Sequence, residues 1–276
     1  MPHYGTTCTN DNLQVWAFLP KTPSCLLHLR GQKGESAARD STRGYVLLPM
    51  KRILLLIAAL IVLLVAACAP APVLRDDTLL HDTSLVSGEP CSAPCFHGIT
   101  PGETSWRDAL TILEDDTNFK NVQTQNAEDG SARVQAAWQD GENGAVCCQI
   151  LSEDGETVSL AFLRTAPVMT VGQVIDAHGE PSYLAGQEFT SDQAIMSLVY
   201  PDVPMVVYAF VEGAETGTLS ESSEIIGMLY FVQSDMDLLL KTSELYNWKG
   251  YQSFKAYTDG EFDITPSVTL TPTPNQ

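Results

Sequence analysis

The chain is short of positive charge. Its 276 residues hold 15 Lys and Arg against 34 Asp and Glu, with five His. Nucleic-acid binding needs a basic footprint, and docking on anionic head groups needs a basic cluster; the composition supplies neither. The motifs of common chemistries are missing as well. There is no His-Glu-x-x-His, no Gly-x-Ser-x-Gly and no phosphate-cradling glycine loop. Carboxylates such as Glu114-Asp115-Asp116 are so plentiful that any pair chosen as acid and base carries little weight. No catalytic residue, cofactor or metal ligand is therefore assigned. Long apolar runs are scarce too, and the fifteen residues Ile53–Ala67 stand out against the rest.

That run follows Met50-Lys51-Arg52 and ends at Cys68. Lys51 and Arg52 form a positive n-region, and Ile53–Leu64 an apolar h-region of signal-peptide length. Val65-Ala66-Ala67-Cys68 is an aliphatic residue, two small ones and a cysteine, and so resembles the lipobox of bacterial lipoproteins. The resemblance implies cleavage after residue 67 and a diacylglyceryl group on the Cys68 sulfur. It places the mature protein on the extracytoplasmic face of a cell membrane, with the lipid bilayer as its first partner. Two or three acyl chains anchor stably where one is marginal. An uncleaved span is the rival reading, but it needs about 20 apolar residues, and Ala69-Pro70-Ala71-Pro72 follows this run. Residues 1–49 show no sustained period, and Met50 is the first methionine after Met1. The expectation is an over-extended reading frame, with 1–49 not translated and Cys8 and Cys25 outside the mature protein.

Residues 1–67 hold seven of the basic and three of the acidic side chains, leaving 8 against 31 from Cys68 onward, a net charge near −23. Such a surface favours solubility, cationic partners or loosely held divalent ions. Four cysteines remain: Cys91, Cys95, Cys147 and Cys148. An even number in an exported chain suggests two disulfides, with three possible connectivities. Cys147 and Cys148 fall in a strand pattern that aims adjacent side chains at opposite faces. Each is therefore expected to pair with Cys91 or Cys95 rather than with its neighbour. The alternative, a metal held by the four cysteines and His97, lacks the two tight pairs of structural zinc.

Residues 68–90, with Pro70, Pro72 and Pro90, read as a tether, and 261–276 as a Thr/Pro-rich disordered tail. Between them the same unit occurs twice, at 91–165 and 166–260. In the first, Gly98-Ile99-Thr100-Pro101-Gly102-Glu103-Thr104 leads to a helix capped by Ser105 with Asp108, or by Thr104. β-like runs follow at 121–125, 132–138, 145–150 and 157–163, separated by Asp129-Gly130, Asp140-Gly141 and Asp154-Gly155, which are hairpin signals. In the second, Thr170 and Gln173 form a capping box for a helix over 171–177, stopped by Gly179 and Pro181. Strand-like runs then fall at 182–184, 194–200, 205–211 and 225–232. A last helix is expected over 235–245. Behind it, Trp248, Tyr251, Phe254 and Tyr257 read as a flap over the sheet in preference to a ligand platform. Asp140-Gly141-Glu142-Asn143-Gly144 reads as a turn in preference to a calcium loop.

The fold class is thus α+β: two tandem helix–antiparallel-meander units about 70 residues apart (Thr100 to Thr170), with one continuous sheet as a possible outcome. The two helix entrances, with Gly179-Glu180-Pro181, resemble the arrangement of the β-lactamase inhibitory protein and of the SmpA/OmlA outer-membrane assembly lipoproteins. The chain also resembles bacterial lipoproteins with a Pro-Cys…Pro-Cys entrance and a Thr/Pro-rich end. The first likeness implies a non-enzymatic module that recognises another envelope protein through its sheet face. Its rivals are a small-molecule or cation binder and an exported hydrolase. The sharpest enzyme idea is a Cys95–His97 nucleophile, which a disulfide at Cys95 abolishes.

Overall fold

A computed structural model describes residues 73–265. The described residues all fall within the unit Ala69–Gln276, and Cys68 with its signal lies outside them. There the chain runs α1 (Ser84–Ser87), α2 (Trp106–Asp115), β1 (Phe119–Asn126), β2 (Val134–Asp140), β3 (Val146–Ser152) and β4 (Leu160–Arg164). It continues with α3 (Val171–His178), β5 (Tyr183–Thr190), β6 (Gln193–Tyr200), β7 (Met205–Glu212) and β8 (Ile225–Phe231). It closes with α4 (Gln233–Thr242), β9 (Tyr246–Asn247) and α5 (Phe254–Thr258).

The local signals act as physical chemistry requires. Ser105 caps α2 by accepting the Asp108 amide. Thr170 and Gln173 exchange side-chain-to-backbone bonds in a full capping box on α3, closed at the far end by Gly179. Together such caps satisfy amides that a helix end leaves orphaned. The glycines of Asp129-Gly130, Asp140-Gly141 and Asp154-Gly155 all take positive φ, as the turns of successive hairpins demand.

The nine strands form a single sheet in the order β1-β2-β3-β4-β8-β7-β6-β5-β9, and every strand pairing in it is antiparallel. The two meanders meet where β4 pairs with β8, Leu160 opposite Phe231 and Arg164 opposite Gly227. Gly227 permits that seam, since a Cβ there would lie 2.9 Å from the Leu163 carbonyl oxygen. One face of the sheet packs on α2 and α3. Ala109 and Leu113, with Val171 and Val174, join Trp138, Ile150, Leu163, Leu198, Val207, Met228 and Tyr230 in one core. On the opposite face, Met236, Leu239 and Leu240 of α4 cover Val199, Val206 and Phe231.

The strand expected over 182–184 extends to Thr190, and three further boundaries differ from expectation. The segment read as a tether docks on the domain from Leu74 onward. Leu79, Leu80 and Leu85 are buried, and the Leu80 amide bonds the Arg164 carbonyl while its own carbonyl accepts from Ala166. These leucines carry no periodic pattern, because they fill a corner at the end of β4 rather than a helix face. The last helix ends at Thr242. Tyr246 and Asn247 then leave it to pair with Leu184 and Tyr183 as a short edge strand. The start of the tail is held too, since Ile264 and Leu245 exchange both backbone bonds.

Candidate functional site

The cysteines pair as Cys91–Cys95 and Cys147–Cys148, which corrects the expected cross-pairing. The alternation argument failed at a β-bulge. Trp138 faces Cys148 but Gln139 faces Val146, so Cys147 is an extra residue without a partner on β2. A bulge sets two residues against one and breaks strand alternation. Both side chains consequently enter the core, Cys147 beside Cys148, while Val146 stays exposed. With Cys95 bonded, the Cys95–His97 nucleophile is abolished.

The Cys91–Cys95 loop leads into a tight turn in which Phe96 and Ile99 exchange both backbone bonds. Its central residues, His97 (φ 51°) and Gly98 (φ 90°), are both left-handed, as a two-residue hairpin turn requires. Histidine is one of the few side chains that tolerates this region. The turn sets the imidazole against the Phe96 and Phe119 rings, at centroid distances of 4.5 and 5.2 Å, and those two rings in turn meet Trp138. Nε2 lies 3.1 Å from an Asp82 carboxylate oxygen and Nδ1 lies 3.3 Å from Asp116. A carboxylate at each nitrogen favours the imidazolium, in which both ring N–H groups donate. The Asp82 hydrogen bond raises the His97 pKa against the opposing effect of burial. Asp82 is itself half-buried; burial pushes it up, but bonds from His97 and Ser84 outweigh that and hold it low. The clamp ties the segment before α2 to the loop before β1. The two carboxylates sit on different ring nitrogens, and the described residues contain no group of three or more His, Cys, Asp or Glu that could hold a metal ion. His-Gly was the available turn signal, overlooked because Asn-Gly and Asp-Gly are the stronger cues.

The other two histidines among the described residues also serve backbone. His81 Nε2 contacts the Asp77 carbonyl, and His178, at the C-terminus of α3, contacts the Leu85 carbonyl. Asp140–Gly144 is the β2–β3 turn, in which Asp140 accepts the His81 amide.

The remaining feature is a surface. Cross-strand register places Gln123, Ala137 and Gln149 in one row and Gln125, Gln135 and Leu151 in the next, on the face of β1–β3 away from α2. Gln135 donates to Gln125 at 3.1 Å, and the buried Oε1 of Gln149 has no hydrogen-bond partner. These two rows contain no charge, in a region carrying 31 carboxylates from Cys68 on. Beside them β1 forms one edge of the sheet, with the side chains from Gln123 to Asn126 all exposed. No helix among the described residues is long and apolar enough to cross a membrane. No protein-family model, curated protein or solved structure matches the chain.

Proposed function

We propose that this protein is an extracytoplasmic lipoprotein, anchored through acylated Cys68, whose domain is a non-enzymatic module that binds another envelope protein. The observation carrying this reading is the pair of charge-free, glutamine-containing rows on the outer face of β1–β3 beside an open strand edge. Charged groups are costly to desolvate, so depletion of charge favours the centre of an interface. Amide side chains supply donors and acceptors together, and an open edge offers backbone groups for strand addition. The finer architecture follows the same reading. α2 with β1–β4 and α3 with β5–β8 are tandem units like those of the β-lactamase inhibitory protein, joined at β4–β8.

A photoreactive residue in place of Gln135, in the full chain and in its native cell envelope, should crosslink to one defined protein. Absence of a discrete adduct there and at Gln123 overturns the reading. Mass spectrometry of the mature amino terminus should find a diacylglyceryl group on Cys68; an unmodified cysteine removes the anchor.

A further inference from the structure

The chain enters the domain much sooner than a tether over 68–90 would allow. Leu74 is already buried, and it stands six positions after Cys68. A fully extended chain covers at most ~3.6 Å per residue, about 22 Å over that stretch. The polar zone of one leaflet takes up about 5–8 Å, the difference between a core of ~30 Å and a bilayer of ~40–45 Å shared by two sides. A domain acylated at Cys68 therefore stands within about one strand length of the membrane.

Backbone bonds and strand register fix which surface is held there. Arg75 lies over the Phe210 ring at 4.7 Å and pairs with Glu224 at 3.2 Å. The Thr78 carbonyl accepts the Ala145 amide, and Leu80 exchanges backbone bonds with Arg164 and Ala166. The entering segment thus crosses the sheet end at which β4 and β7 finish and β3 and β8 begin. Because the pairings are antiparallel, the start of β1, the end of β2, the end of β5 and the start of β6 lie at that end too. The β1–β2 and β6–β7 turns lie at the other.

Six large apolar side chains are exposed among the described residues. Val73, Val146 and Val168 belong to the entering end: Val73 precedes the docked leucine, Val146 opens β3, and Val168 follows β4 with its amide on the Ala166 carbonyl. The other three, Leu238, Tyr251 and Phe262, belong to α4 and the segment after it. Charge at the entering end offers nothing to an anionic surface. Arg75 and Lys120 are paired with Glu224 and Glu142, while Asp77, Glu142 and Glu212 are exposed. Contact with lipid there rests on the anchor and on apolar area, not on basic residues. The glutamine rows lie toward the other end. Gln139 faces Val146, and Gln135 is four residues further along β2, about 14 Å at ~3.4 Å per residue.

We infer, on the reading that Cys68 is acylated, that the sheet end carrying Val146 and Val168 rests on a zwitterionic phospholipid surface. The strands then rise from the bilayer, β1 runs away from it, and the glutamine rows stand beyond the head groups. The protein partner meets those rows through a part that lies outside the membrane.

The test uses the full acylated chain in phosphatidylcholine vesicles, with a photoreactive residue in place of Val146, Val168, Leu238 or Gln135. Val146 and Val168 should give lipid adducts at least tenfold above those of Leu238 and Gln135, Leu238 being the control for an exposed apolar side chain elsewhere. A twenty-residue Gly/Ser insert after Ala71 should lower the Val146 lipid adduct about ninefold, since effective concentration falls as the −3/2 power of tether length. Replacing a third of the lipid by phosphatidylglycerol should reduce the adduct further. Equal yields at the four positions, an undiminished adduct with the long tether, or a stronger one on anionic vesicles overturns the inference. So does the absence of lipid adducts at both valines in a chain whose Cys68 is acylated by mass spectrometry. An unmodified Cys68 instead removes the anchor itself, so the two readings fail separately.

Discussion

The two meanders of this sheet have the same strand number and are held together differently. In the second, β6, β7 and β8 are buried along almost their whole length, because helices or helix-like segments cover both faces. Their sequences accordingly read as near-continuous apolar runs. In the first, β1 is mostly exposed and β2 alternates, because only one face is covered. That half has less apolar surface to bury, and it carries the covalent and ionic braces: both disulfides and the Asp82–His97–Asp116 clamp. A half-covered meander gains less from burial, so local links matter more to it, and the uncovered face is left available for recognition.

The comparison breaks most readily in the core. Leu198→Ala, at a fully buried site on β6, should cost about 2–5 kcal/mol, read as a lower urea midpoint. Gln125→Ala on the exposed edge should stay within about 0.5 kcal/mol. Equal losses at the two sites would refute the division between a core-held and a brace-held half.

A smaller effect is expected from the covalent brace. The double change Cys91→Ser, Cys95→Ser opens a loop with a sequence separation of 4, and loop-closure entropy puts the loss at about 2 kcal/mol. Hydrogen exchange should localise the loosening to 74–100 and β1. Uniform loosening across β6–β8 would contradict the assignment.

The smallest effect separates the halves by pH. The folded His97 pKa is raised above 6.5, so its contribution is complete below that value and fades as pH rises through the raised pKa. Asp82 is lowered from 3.8, so its contribution is complete above 3.8 and fades as pH falls through the lowered pKa. The clamp is therefore fully stabilising between those two ordinary values. His97→Gln should cost about 1–2 kcal/mol near pH 5.5 and little at high pH, measured as urea midpoints across pH. A pH-independent loss would mean that the ring acts by packing alone.

Much of this organisation was legible in the residues. The caps at Ser105 and Thr170, the Asp-Gly turns and the eight main strands follow from contacts within a few positions, where spacing alone sets geometry. What escaped depended on distant partners. The Cys147–Cys148 bond needed a bulge that only the β2 register creates. The docking of Leu79, Leu80 and Leu85 needed a corner that exists only once β4 is placed. His97 looked like a ligand or a nucleophile's partner until folding brought Asp82 and Asp116 to its two nitrogens.

By itself the sequence determined the acidic balance, the repeated helix-and-strand rhythm, the turn positions and the α+β class, because these are properties of composition and short-range period. Tertiary structure decided that both meanders join at β4–β8, which cysteines bond, which face of the first meander stays uncovered and which aromatics reach the surface. Those outcomes rest on packing and register between residues far apart in the chain, where one bulge or one close approach at Gly227 changes what each side chain meets.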